Sequence, residues 1–159
     1  MDRSAIAYQY HKEGWNCAQS VAGACASLAG RTPEEVMPLL GGFGGGIGGS
    51  HEEVCGAVSG MFLVAGMLYG YGDPKDFQGK KEHYGRVQQL AKAYEEENGS
   101  IVCRELLGLA KKKDVPTPEQ RTEEYYKKRP CGKLVRIAAA IMEQYIEGHP
   151  LDTAEENKI

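Results

Sequence analysis

Seven glycines fall within the nine residues Gly41 to Gly49, and the chain that follows carries no formal charge from Val54 to Gly72. Backbone of this composition takes positive φ freely and lets other groups come close. Ser50 then offers an N-cap. Met61, Phe62, Leu63, Val64, Met67, Leu68 and Tyr69 make the next segment apolar nearly all round, the pattern of a helix buried on several sides. Gly56/Gly60 and Gly66/Gly70 recur at a spacing of four, so each pair puts small residues on one helix face and admits a close neighbour. The rest of the chain has to pack around this segment. Val54 to Tyr69 is expected as the most buried helix, with Cys55 in its first turn.

A charge-free run invites comparison with a membrane span, which takes about 20 apolar residues. Here five glycines, Cys55, Ser59 and two tyrosines dilute the run, and no Lys/Arg cluster flanks it. A central core helix is the better reading, and no membrane insertion is expected. The net charge of −3 over 159 residues provides no basic field, which excludes nucleic acid and anionic membrane as expected partners. Lys111-Lys112-Lys113 and Lys127-Lys128-Arg129 read as solvated loop and helix ends. Met1-Asp2-Arg3 opens no basic-then-apolar leader, so the expected location is cytoplasmic.

The remaining segments read as helices. Residues 3 to 13 form a short helix ending at Gly14. Asn16 caps a second over Cys17 to Ala29, closed by Gly30, and Thr32-Pro33-Glu34-Glu35 is a capping box opening a short third that Pro38 cuts off. Lys75 to Asn98 places Phe77, Tyr84, Val87, Leu90, Ala91 and Tyr94 on one stripe. Ser100 caps a helix in which Cys103 is N3, with Leu106, Leu107 and Leu109 inward. Thr117-Pro118-Glu119-Gln120 is a second capping box, predicting a helix over Glu119 to Lys128. Pro130 begins the last helix, which presents Leu134, Val135, Ile137, Ala138, Ile141, Met142 and Tyr145 inward up to Gly148. No run of alternating β-branched residues competes. The expected fold is all-α: a compact multi-helix bundle around the buried glycine-rich helix, one domain over residues 1–149 with a polar tail over 150–159.

The five cysteines, at 17, 25, 55, 103 and 131, contain no CxxC and no CxxCH, which removes local zinc ribbons, thioredoxin-type motifs and c-type haem attachment. Four of them, Cys17, Cys55, Cys103 and Cys131, fall at the predicted start of a helix. Free N–H groups and the positive end of the helix dipole stabilise a thiolate there, making it both nucleophile and metal ligand. Arg104, Arg129 and Lys133 add to that field. Cys25, mid-helix between alanines, reads as packing, and cysteine as inert core filling is the bland alternative for all five.

These residues resemble the C_GCAxxG_C_C family of redox-active proteins. The resemblance rests on Asn16-Cys17-Ala18-Gln19-Ser20-Val21, Gly42-Phe43-Gly44-Gly45-Gly46-Ile47-Gly48, Cys55-Gly56-Ala57-Val58-Ser59-Gly60, Cys103-Arg104-Glu105-Leu106-Leu107-Gly108, and Cys131 ahead of Leu134-Val135, spanning about residues 14 to 147. It maps the family's four named cysteines onto Cys17, Cys55, Cys103 and Cys131 and leaves Cys25 outside. What it implies is a small cysteine protein of redox function, and no substrate.

Two further features are weighed on the residues themselves. His51 lies four residues before Cys55, so a helix covering both puts the imidazole beside the thiol, as a base or as a fifth metal-ligand candidate, the alternative being a surface histidine at a helix entrance. Gly44-x-Gly46-x-x-Gly49 matches a dinucleotide fingerprint as a string, but no strand precedes it. What survives is an anion or phosphate cradle, with Gly44, Gly46 and Gly48 as its contacts. Three readings follow. The first is thiol redox chemistry or metal or iron–sulfur ligation by the four cysteines, served by a redox partner protein or small electron carrier. The second is an anion-binding module over Gly41 to Gly49. The third is a structural homo-oligomer joined through the small-residue face.

Overall fold

A computed structural model describes residues 1–110 and 114–151. The lysine run at 111–113, and the expected tail from 152 on, lie outside the described residues. Among those described, the chain is all-α: α1 (Arg3–Lys12), α2 (Cys17–Cys25), α3 (Pro33–Val36), α4 (Gly56–Tyr69), α5 (Phe77–Asn98), α6 (Cys103–Leu107), α7 (Glu123–Lys128) and α8 (Cys131–Gly148). Turns of 3-10 helix extend α2 over Ala26–Ala29 and α3 over Met37–Phe43.

The hub of the packing is α2, which contacts α1, α4 and α8. Eight of its nine residues are buried, against seven of fourteen in α4. The expectation that α4 is the most buried helix is therefore corrected, and the reason is side-chain size. The sequence Cys-Ala-Gln-Ser-Val-Ala-Gly-Ala-Cys offers almost nothing to hold neighbours away, so three helices crowd a helix of small residues. A Cβ on Gly23 would stand 2.8 Å from the Met37 sulfur, and one on Gly60 2.8 Å from the Ala18 carbonyl oxygen. The Gly56/Gly60 face of α4 thus meets α2 of the same chain, which removes the argument for a second copy there.

Other boundaries shift for local reasons. Helix α4 begins at Gly56, with Cys55 as its N-cap, because Ser50 lies back in the glycine loop and donates to the Gly46 carbonyl. Cys103 is N1 of α6 and not N3: the Ser100 hydroxyl accepts from the Val102 amide, one step ahead of the helix. The Thr117 capping box does not form, and α7 starts instead behind Thr122, whose Oγ1 accepts from the Tyr125 amide at 3.1 Å. Phe77 and Tyr84, expected on the inward stripe of α5, are 77% and 56% exposed, and the inward contacts of that helix are Leu90 and Tyr94. Leu109, also expected inward, lies beyond the end of α6 and is 37% exposed.

The glycine loop has a definite shape. Gly45, Gly46, Ile47, Gly48 and Gly49 take φ of 59°, 64°, 70°, 59° and 72°, a full turn of left-handed backbone that L side chains resist by roughly 1–2 kcal/mol each. Ile47, β-branched, carries that strain in this run.

Two glycine substitutions separate packing from propensity. Gly60→Ala forces the α2–α4 approach apart and should cost about 1–3 kcal/mol, whereas Gly85→Ala, with nothing within 4 Å on the exposed face of α5, should gain about 0.5–1 kcal/mol. Thermal unfolding checks both; equal effects of one sign would contradict the packing account.

Candidate functional site

The four helix-start cysteines are placed by different local devices. On α2, Asn16 and Gln19 form a reciprocal capping box: Asn16 Oδ1 accepts from the Gln19 amide at 2.9 Å, and Gln19 Oε1 accepts from the Asn16 amide at 3.1 Å. The same Asn16 donates through Nδ2 to the carbonyls of Leu40 and Gly41, at 3.2 and 3.3 Å. That ties the start of α2, and with it Cys17 at N1, to the glycine loop. Gly44 packs flat on Asn16, where a Cβ would fall 2.5 Å from the amide side chain.

Cys55 and Cys103 are set by one antiparallel bridge, Val54 with Val102, an isolated extended contact in a helical chain. Across it the Cys55 amide donates to the Ile101 carbonyl at 2.7 Å and the Cys103 amide to the Glu53 carbonyl at 2.9 Å. The starts of α4 and α6 are thereby fixed side by side. Gly46 fills the remaining gap, since a Cβ there would lie 2.6 Å from the Cys103 Cβ and 2.9 Å from the His51 Cα. Cys131 is N1 of α8 behind Pro130, which supplies no capping side chain.

All five cysteines are free and buried thiols. Cys17, Cys55, Cys103 and Cys131 are close enough to feel one another's charge, and crowding of this kind lets few of them ionise. The interaction of Cys17 with the neighbouring Cys131 thiol, then burial, pushes Cys17 well up. Cys131 moves the other way, held down first by its interaction with Cys17 and then by the Arg129 and Arg121 guanidiniums, against its burial. Cys103 is pushed up to about 12, chiefly by burial and then by Cys55 and Cys131. Burial raises Cys55 too, while the Tyr94 hydroxyl and the amides of Ala57 and Val58 oppose it.

Cys25 stands apart. It is fully buried, pushed up to about 12 by desolvation, and its charged neighbours are Arg3 and Glu143.

The loop residues sort differently from expectation. His51 lies outside α4, so it shares no helix face with Cys55. Its own φ is 60°, and its Nδ1 meets Asp114 Oδ2 at 2.6 Å. Buried Arg104 joins them, donating to the Ser50 carbonyl at 2.8 Å and to Asp114 at 3.3 Å, and closes the loop onto the segment after α6. Gly44 and Gly46 are taken up by packing against Asn16 and Cys103. Gly48 is open, its amide donating to the Gly42 carbonyl at 2.9 Å. Among the described residues, no three His, Cys, Asp or Glu side chains are arranged to hold a metal ion.

Two tyrosines belong to the site that sequence reasoning left in the core or overlooked. The Tyr94 hydroxyl, fully buried, lies 3.4 Å from the Cys55 sulfur, and burial, then the Cys55 charge, raises its pKa. The available signal was chemical: a buried phenol needs a hydrogen-bond partner. Tyr125 of α7 is pushed up to about 12 by burial and by Cys131 and Cys17. Arg121 stacks 4.8 Å over its ring and reaches the His11 and Trp15 carbonyls, which fastens α7 to α1 and the chain leading into α2.

Among the described residues no helix is long and apolar enough to cross a membrane. No curated protein and no solved structure matches the chain. A family model described as "Putative redox-active protein (C_GCAxxG_C_C)" matches residues 15–145, a span that contains all four gathered cysteines together with Asn16 and the glycine turn, and the chain belongs to that family.

Proposed function

We propose that this chain is a dithiol redox protein in which Cys131 is the attacking thiolate and Cys17 its resolving partner. The observation that carries the reading is the placement of Cys17 and Cys131, both buried and both at N1, on the packed helices α2 and α8, near enough that each acts on the other's ionisation. Thiol–disulfide exchange needs one sulfur ionised near neutral pH and a second thiol within reach of it. Cys131 attacks one sulfur of an acceptor disulfide, and the acceptor's other sulfur leaves as a thiolate. Cys17 then gives up its proton and attacks the Cys131 sulfur, releasing the acceptor's second thiolate. Two electrons pass to the acceptor, and a Cys17–Cys131 disulfide remains. Cys55, held by Tyr94, and Cys103 are the reserve thiols beside it. The acceptor is a redox partner protein or a small disulfide carrier, and a reducing compartment such as the cytoplasm would return the pair to thiols.

Mild oxidation of the reduced protein should lower the count of titratable thiols from five by two, with peptide mapping linking Cys17 to Cys131. An unchanged count, or stoichiometric bound metal in the purified protein, would overturn the reading.

The ionisation order gives a pH test. Because its pKa lies below the ordinary 9.0, Cys131 should be carboxamidomethylated with a midpoint under that value, its rate falling as pH drops through the lowered pKa. Cys17, Cys25 and Cys103, all raised, should react only as pH climbs above it. Arg129→Gln and Cys17→Ala should each move the Cys131 midpoint upward. Cys25→Ser should leave both the thiol loss on oxidation and the Cys131 midpoint where they were, and a shift in either would bring Cys25 into the site.

A further inference from the structure

On the outer side of the start of α8 lies a cavity of about 480 Å³, between α1, α7 and α8. Its wall is unusual for this chain. The protein as a whole has 22 acidic against 19 basic side chains, yet the cavity is lined by Lys12, Arg129, Lys133 and Arg136 and by no carboxylate.

These cations are positioned largely by aromatic faces. Lys12 Nζ sits 4.1 Å over the Tyr126 ring, and the Arg136 guanidinium 4.6 Å over Tyr8. A ring orients a cation without neutralising it, so the field of both remains directed at whatever enters. Arg129 does have an acidic partner, Glu119 at 2.7 Å, but that carboxylate is not part of the wall. Gly132 belongs to the construction as well. A Cβ at that position would come within 2.9 Å of the Tyr8 ring, so only glycine lets Tyr8, and Arg136 above it, close the side of the cavity. The early amides of α8, behind a proline that offers no cap, add the positive end of an 18-residue helix.

We propose that this cavity binds a small oxyanion carrying two or more negative charges, with Lys12, Lys133 and Arg136 as its principal contacts. The volume falls in the range of small-molecule sites, about 300–1,000 Å³. Lys12, Lys133 and Arg136, on one concave wall with no carboxylate among them, concentrate positive potential there and draw in an anion. Guanidinium groups favour the planar edge of phosphate or carboxylate alike. The shared chemistry is therefore the multiply charged oxyanion. The proposal does not depend on thiol exchange.

Isothermal titration of the reduced full-length protein at about 0.15 M ionic strength, with inorganic pyrophosphate in one arm and citrate in the other, tests the site and separates its two sources. Saturable binding of at least one is expected, and the tighter arm identifies phosphate or polycarboxylate as the group recognised. K133E/R136E should weaken binding at least tenfold, and the milder K133Q/R136Q should weaken it in the same direction with helicity by circular dichroism unchanged. K81E, a reversal at an exposed position on α5 outside the cavity, should leave it as in the wild type. Absence of saturable binding in both arms, wild-type affinity in the neutralised double variant, or an equal loss in K81E would each overturn the proposal.

Discussion

The approach of α4 to α2 sets the distance scale of the whole structure. Where Gly60 crosses Ala18, backbone meets backbone with no side chain between, and α1 and α8 close on the other sides of the same small-residue helix. Cys17 and Cys55 stand at the starts of the two crossing helices, and Gly56 leaves the Cys17 Cβ just 3.1 Å from where its own would be. Larger residues at these crossings would leave the helices intact and separate the sulfurs. The thiol cluster is thus a product of close packing as much as of capping.

Once gathered, the thiols divide by electrostatics. Buried sulfurs that feel one another's charge cannot share ionisation evenly, and the guanidiniums of Arg129 and Arg121 lie toward the Cys131 end. Cys55 receives a phenol in place of a cation, and Cys103 spends its amide on a bridge across to Glu53. Four positions that look equivalent as helix starts therefore differ in chemistry.

That difference marks what the sequence could carry. The all-α fold was legible, because the helical stripes, the Asn16 and Thr32 caps and the absence of alternating strands agreed. The gathering of Cys17, Cys55, Cys103 and Cys131 was legible too, through their repeated placement at helix starts. The central position of α2 was hidden, because alanine and glycine give a weak hydropathy signal although they determine how near helices come. The Val54–Val102 bridge was equally hidden: it is a single pair between loops nearly fifty residues apart, too short for any periodicity. The condition for His51 to flank Cys55, one helix over both, is not met because α4 begins at Gly56, and Thr117 caps no helix because a good capping string competes with tertiary contacts that hold Glu119 on Arg129.

The left-handed turn at Gly45–Gly49 depends on its surroundings for its shape. Glycine-rich chain gives up more conformational freedom than any other when it is fixed, and this run is held by a few backbone hydrogen bonds to Gly42, Gly44 and Gly45 together with the contacts of Asn16, Cys103 and Arg104 around it. Those contacts exist only after α2 and α6 are in place. The turn therefore keeps its shape only while α2 and α6 hold their places, and loosening either helix start would loosen the loop between them.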